Sequence, residues 1–180
     1  EKELLGDNYV RLDEIPFDSD RKCMSVVCKN KESKIHVYTK GAPDVVLSKC
    51  TGICTEQGIE PLSKEHVQRI NQMTDKMAAG ALRVLGLAYK PLNGGTNTSG
   101  RSIHGGGVES ELIFIGLIGM IDPPRREVFT AVQKCALSGI KPVMITGDHK
   151  ITACAIAGEL NIYKKGDNIL TGAEIDSMSE

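Results

Sequence analysis

An excess of charge of one sign is missing from this sequence. Lys and Arg number 22 against 23 Asp and Glu, for a net charge of -1 over 180 residues. The signs are well mixed and no polybasic tail occurs, which excludes recruitment to nucleic acid or membrane by a global field. Long hydrophobic runs are missing as well. The longest, Leu112 to Ile121, is closed by Glu111 and Asp122, far short of the about 20 residues a membrane-spanning helix needs. No signal peptide opens the chain, which begins Glu1-Lys2-Glu3 without an initiator Met and reads as a piece of something longer. Aromatics are scarce, with no Trp, three Phe and four Tyr, so each one stands out. The 41% of hydrophobic residues nevertheless excludes disorder of the whole chain. The length suits one domain, or one domain and part of another, and a chain of this size buries about 70% of its unfolded surface.

Paired metal-ligand spacing is absent too. Cys23, Cys28, Cys50, Cys54, Cys135 and Cys154 form no Cys-x-x-Cys pair, and His36, His66, His104 and His149 are scattered singly. Structural zinc wants closely spaced pairs, so that two thiolates reach one ion. Cys135 and Cys154 sit within apolar patterns, where Cys serves as a small hydrophobe. Free thiols in a reducing compartment are the expectation, with no metal site.

What is present is patterning. Residues 9–15 and 23–28 are β-like, and Ile35-His36-Val37-Tyr38-Thr39 alternates with period two. Asn30 to Lys34 between the last two reads as a hairpin loop. Pro43 in Gly41-Ala42-Pro43-Asp44 predicts a helix start ahead of Val45, Val46 and Leu47. Ser63 is a candidate N-cap for a longer helix with Val67, Ile70, Met73 and Met77 on one face, closed by Gly80. Val84 to Tyr89 is strand-like. Asn93 to Gly107 holds six of the 19 glycines and one charge, Arg101, and is expected to be an exposed, mobile loop. An apolar strand over 112–120 follows.

After Asp122-Pro123-Pro124 the character changes. A helix is expected from about Arg126 to Ser138, ending at Gly139. Then come a short strand, Val143-Met144-Ile145, and another helix through about Leu160. Strand and helix alternating at this spacing indicate parallel α/β organisation. The fold class expected is therefore α+β: an antiparallel sheet flanked by helices over residues 1–119, and a partial parallel α/β segment over 120–180.

Three stretches invite a phosphate reading. Gly95 to Ser102 fits a P-loop except that Arg101 replaces the lysine, but His104 and three glycines follow where a helix has to begin, so it is a Gly-rich loop. Thr146-Gly147-Asp148 stands between a predicted strand and a predicted helix, where loop amides and a helix N-terminus attract anions. A hydroxyl, a glycine and a carboxylate suit phosphate with magnesium, and Asp148 suits an N-cap equally well. Phe17, in the polar run Pro16 to Lys22, fits either the rim of a core or a platform for a stacked base. Lys40 and Arg83, at strand ends next to helices, fit a pocket mouth or a solvated surface.

These motifs in this order resemble the P-type ATPases, specifically the calcium-pump-like type II group. The likeness rests on Pro16-Phe17-Asp18-Ser19-Asp20-Arg21-Lys22 with Met24-Ser25-Val26, on Lys40-Gly41-Ala42-Pro43, on Asp122-Pro123-Pro124-Arg125, and on Met144-Ile145-Thr146-Gly147-Asp148. Leu82-Arg83 with Leu87-Ala88 adds a softer match. The resemblance implies a nucleotide-binding (N) domain, a twisted antiparallel sheet flanked by helices, followed by a hinge and part of a haloacid-dehalogenase-like phosphorylation (P) domain. It implies that Phe17 stacks on adenine, that Met24 and Leu85 line the base slot, and that Lys40 with Gly41 lies in the adenine pocket. Lys22 and Arg83 would meet the phosphate chain. Thr146, Gly147 and Asp148 would face the γ-phosphate and Mg2+, and Asp122, Pro123 and Pro124 would form the hinge. ATP is the implied ligand, and the implied partners are the remaining P domain, an actuator domain and membrane helices. The parent would lie in a membrane with this soluble part on the cytoplasmic side.

Two departures qualify the likeness. Ser19 stands where some calcium pumps carry an arginine, which removes one phosphate contact. The family's Asp-Lys-Thr-Gly-Thr nucleophile motif does not occur, since Asp75-Lys76 is followed by Met77-Ala78-Ala79. The chain is therefore expected to bind ATP without forming a phosphoenzyme. Two rivals are a haloacid-dehalogenase-like phosphatase, whose Asp-x-Asp pair would have to be Asp18-Ser19-Asp20, and an interaction module that keeps the fold without nucleotide. A pump of the same family for another cation is a further alternative.

Overall fold

The computed structural model describes residues 8–92, 107–121 and 123–178. The predicted hinge residue Asp122 and all but the last residue of the Gly-rich loop 93–107 lie outside them. The chain divides into two compact units, Glu1–Thr74 with Val84–Ile118, and Asp75–Arg83 with Gly119–Glu180.

In the first unit, period-two alternation builds β1 (Tyr9–Asp18), β2 (Cys23–Asn30) and β3 (Ile35–Gly41), paired antiparallel in sequence. The β2–β3 turn falls where expected: Ser33 takes a left-handed φ of 62°, and the Asn30 side chain accepts the Lys34 amide at 2.9 Å. Pro43 opens α1 (Pro43–Ser48), where its fixed φ suits a first turn. A tight hairpin of β4 (Cys50–Thr55) and β5 (Gly58–Pro61) follows. The Ser63 hydroxyl accepts the His66 amide at 3.2 Å and caps α2 (Lys64–Ala79). The helix ends at Ala79 with Gly80 next, as expected, and Ala81 takes a left-handed φ of 58°. β6 (Leu82–Leu92) and β7 (Leu112–Ile121) complete a seven-stranded sheet in the order β1-β2-β3-β6-β7-β4-β5.

The sheet is mostly antiparallel, as expected, with one difference. β4 runs parallel to β7, and the β4–β5 hairpin has no counterpart among the sequence expectations. Periodicity reports which face a strand buries and not which neighbour it chooses. Only the crossover through α1 and the later arrival of β7 decide that pairing.

The two faces of the sheet differ. Cys23, Ser25 and Val27 on β2, Val37 and Thr39 on β3, and Ala88 on β6 are buried on one side. Val46 and Leu47 of α1 pack there with Ala88, Leu112 and Phe114 as the core, joined by Ile53, Leu62 and Ile70. Helix α1 comes close enough that a Cβ on Gly86 would lie 3.2 Å from the Pro43 Cα, so a side chain there would press the helix outward by a few tenths of an ångström. The opposite face is half open and carries His36, Tyr38 and Tyr89 with Tyr9, in ring contacts of 6.0 to 6.5 Å.

In the second unit, α3 (Arg126–Leu137) ends in a Schellman motif. Gly139 has φ 73°, the Ile140 amide reaches the Cys135 carbonyl at 2.9 Å, and the Gly139 amide reaches Ala136 at 3.2 Å. α4 (Lys150–Glu159) buries Thr152 and Ala157, and α5 (Gly172–Asp176) starts from a Thr171–Glu174 capping box. The strand expected at 143–145 is not formed. Val143 and Ile145 are 78% and 93% exposed, and residues 141–146 carry no strand pairing. A strand exists only where a neighbour takes its N–H and C=O groups, so an apolar run alone does not make one. Of the expected parallel α/β segment, only the helices are present among the described residues.

Leu112, fully buried, should lose about 2–5 kcal/mol of unfolding free energy on replacement by Ala. Leu137, 89% exposed at the end of α3, should lose at most about 0.5 kcal/mol. Urea denaturation followed by circular dichroism distinguishes the two.

Candidate functional site

The register of β2, β3 and β6 assembles the first group of predicted residues. Met24 pairs with Lys40, and Lys40 with Leu87. Directly paired residues project to the same side, so the three form a row on the half-open face, and Leu85 lies on that side two residues along β6. Met24, Leu85 and Leu87 are half-buried while Lys40 is exposed. Leu87, matched in sequence but not assigned to the site, belongs to this row. Its signal was the period-two spacing from Leu85.

Phe17 stands near the end of β1 and is 63% exposed. β1 is the sheet's edge, where Pro16 costs no ladder bond. A shift in register between Ile15 and Asp18 re-aims the intervening Pro16 and Phe17. The turn that follows is self-tied: one Asp18 carboxylate oxygen accepts the amides of Asp20 at 3.0 Å and Arg21 at 2.9 Å. Lys22 closes it with φ 51°, and its amide reaches the Asp18 carbonyl at 2.7 Å. Gly41 lies directly against this turn. A Cβ there would stand 2.4 Å from the Lys22 carbonyl and 2.6 Å from the Cys23 Cβ, so no other residue fits. The Ala42 amide donates to that same carbonyl at 2.9 Å. Among the described residues, neither the Lys22 nor the Lys40 ammonium takes part in an ion pair.

The second unit holds the other group. Both Arg83 Nε, at 3.1 Å, and an Arg83 terminal nitrogen donate to one Asp148 carboxylate oxygen. The Thr146 hydroxyl donates to the other at 3.0 Å and accepts the Asp148 amide at 3.1 Å. Hydrogen bonding from the Arg83 guanidinium, helped by Thr146, holds the Asp148 carboxyl below its ordinary range. Asp148 is not an N-cap. That position belongs to His149, which makes no side-chain cap. A Cβ on Gly147 would meet nothing, so the backbone there is open to approach. Thr146, Gly147 and Asp148 border a cleft of about 860 Å3 whose remaining lining is largely apolar, including Val143, Ile145, Leu170 and Ile175. Pro123 and Pro124 precede α3, exposed and half-buried respectively.

One cluster lies outside the sequence expectations. Glu109 is only 9% exposed and accepts from Ser25 at 2.6 Å and from Arg21 at 3.0 Å, with the Lys49 ammonium 3.6 Å away. Ser25 also shares a hydrogen bond of 2.8 Å with Thr39. The signal lay in β2 and β3, whose inward positions Cys23-Ser25-Val27 and Val37-Thr39 place hydroxyls among apolar residues. Buried hydroxyls require partners.

Among the described residues, no group of three or more His, Cys, Asp or Glu is arranged to hold a metal ion. A family model described as the P-type ATPase cytoplasmic domain N matches residues 1–127. Calcium-transporting ATPase 1 of Bacillus cereus is 43% identical over 180 residues, all of this chain and 20% of that protein. The calcium-transporting ATPase of Bacillus subtilis is 38% identical over 179 residues, again 20% of its length. The calcium-transporting ATPase of Plasmodium falciparum is 39% identical over 153 residues, 85% of this chain and 12% of that protein. The chain thus spans about a fifth or less of the length of these relatives.

A lowered carboxyl pKa contributes stability that is present above the ordinary value of 3.8 and lost as the pH falls through the folded value. In a carbon-13 NMR titration the Asp148 carboxyl should therefore titrate below 3.8, and Arg83→Gln should move its midpoint up toward 3.8. A midpoint indifferent to Arg83→Gln would show that the guanidinium is not what holds it.

Proposed function

The chain belongs to the P-type ATPases, matched over their cytoplasmic domain N, and on that basis we propose that it binds ATP. The observation that carries the reading is the Met24–Lys40–Leu87 row on the open sheet face, with Phe17 exposed on the edge strand of the same sheet. Adenine wants an aromatic face and an apolar slot. Phe17 supplies the first, at about 1–3 kcal/mol for a stacked base, and Met24, Leu85 and Leu87 supply the second. Lys40, beside Gly41, contributes charge at the pocket. Lys22 contributes charge to the phosphates.

Arg83 is the second phosphate contact. Its guanidinium already grips a carboxylate through two nitrogens, the kind of planar anion recognition that also suits phosphate. Thr146, Gly147 and Asp148 serve the γ-phosphate and its Mg2+, for which a hydroxyl and a carboxylate are suitable hard oxygen ligands. Phosphoryl transfer depends mostly on positioning and neutralisation of charge. The acceptor is proposed to be an Asp of the parent's P domain, outside these 180 residues, so this chain binds ATP without turning it over.

The parent is proposed to be a cation pump, with calcium as its ion because the relatives are named calcium-transporting ATPases. Its membrane helices, actuator domain and remaining P domain are the proposed partners, with this chain on the cytoplasmic side. The exposed Val143 and Ile145 and the apolar cleft around them support a haloacid-dehalogenase-like P segment completed by the rest of that domain. Asp122, Pro123 and Pro124 are its proposed hinge. The rival phosphatase reading is not favoured, because β1, which ends at Asp18, is an edge strand paired antiparallel with β2 rather than a strand of a parallel sheet, where such a site is expected.

Isothermal titration of the chain with Mg-ATP should release heat, and Phe17→Ala and Lys40→Ala should each weaken binding by about 5- to 150-fold, equivalent to 1–3 kcal/mol. Radiolabelled ATP should leave no acid-stable phosphate on the chain. Absence of heat, or heat indifferent to both substitutions, overturns the pocket.

A further inference from the structure

The β1–β2 turn presents two consecutive cations, Arg21 and Lys22, with opposite fates. Arg21 folds inward: one terminal nitrogen donates to Glu109 at 3.0 Å and to the Cys23 carbonyl at 3.0 Å. Lys22 remains exposed. Asp18 ties the turn only to itself, and the Lys22 carbonyl ties it to β3 through Ala42. The tie to the buried side of the sheet runs through Arg21. Its anchor, Glu109, is a carboxylate 9% exposed, fixed by the Ser25 hydroxyl at 2.6 Å and approached by Lys49 at 3.6 Å. A carboxylate in such a place demands a cation and full hydrogen bonding. Arg21 meets that demand through one terminal nitrogen, which bonds the carboxylate and the Cys23 carbonyl together.

We propose that Glu109 is a positioning residue for the nucleotide site: by holding the half-buried Arg21 against the sheet, it sets the β1–β2 turn so that Phe17 and Lys22 are left for the ligand. The proposal rests on the ATP-binding reading above. The effect of Glu109 on the turn is carried by Arg21. Nothing in the polar run Pro16 to Lys22 says which of its two cations is structural. The partner that decides is 88 residues away in sequence, just before β7.

Two measurements test this on the intact chain, using Glu109→Gln, Arg21→Gln and the double variant. Titration with Mg-ATP should show each single variant weakened about tenfold and the double variant no weaker than either, as expected for residues in one network. Amide hydrogen exchange without nucleotide should accelerate across residues 19–22 in Glu109→Gln while Val26, Val27 and Val37 keep their protection. Additive losses of affinity overturn the proposal, because Glu109 would not then act through Arg21. So does exchange that rises uniformly across the sheet, or unchanged ATP affinity. If the unsubstituted chain gives no heat with ATP, the nucleotide reading fails and the ligand half of this proposal fails with it. The exchange pattern still decides whether Glu109 holds the turn. Should Glu109→Gln not fold, Glu109→Asp carries the same comparison, keeping the charge while drawing the carboxylate back from the Arg21 nitrogen 3.0 Å away.

Discussion

The end of β3 has no room for a side chain, and much of the proposed binding surface depends on that. Gly41 lets the β1–β2 turn lie flat against the strand, with the Lys22 carbonyl where a Cβ would otherwise be. The same carbonyl accepts the Ala42 amide just ahead of α1. One close approach thus joins the turn that carries Lys22, the strand that carries Lys40 and the helix that contributes Val46 and Leu47 to the core. Any methyl group there would push all three apart, because neither backbone nor Cys23 can yield cheaply at such distances.

Charge is distributed on the same plan. A net charge near zero describes no part of this molecule well. Arg21 and Lys49 approach a buried carboxylate, Arg83 engages Asp148, and Lys90 reaches Glu111. The exposed pairs among these contribute little to stability. The buried one matters because an unpaired carboxylate would be costly there. Lys22 and Lys40 lie outside these pairings. The separation of structural from uncommitted cations, rather than the total, gives the sheet a surface suited to a polyanion.

Several turns and helix ends were readable where a few neighbouring residues control them. The Asn30–Lys34 turn, the Pro43 helix start, the Ser63 cap and the Gly139 Schellman motif each depend on a few neighbouring residues. Pattern is a poor guide where a distant partner decides. Val143-Met144-Ile145 has a strand's composition, but residues 141–146 carry no strand pairing, and the run stays exposed. β4 and β5 are hard to see in the sequence because their short segment, Cys50 to Pro61, has weak alternation and gains its place from β7.

The alternation that makes each strand two-faced, the local turn and cap chemistry, and the ordered motifs that place the chain in its family are all written in the linear sequence. These follow from interactions within a few residues, where composition and spacing are sufficient physical description. Folding in three dimensions was needed to put Met24, Lys40 and Leu87 in one row, to pair Asp148 with Arg83 instead of capping a helix, and to give Arg21 to Glu109 while leaving Lys22 outside. Strand register and the desolvation of a buried carboxylate are properties of segments brought together from far apart, and a linear pattern does not express either.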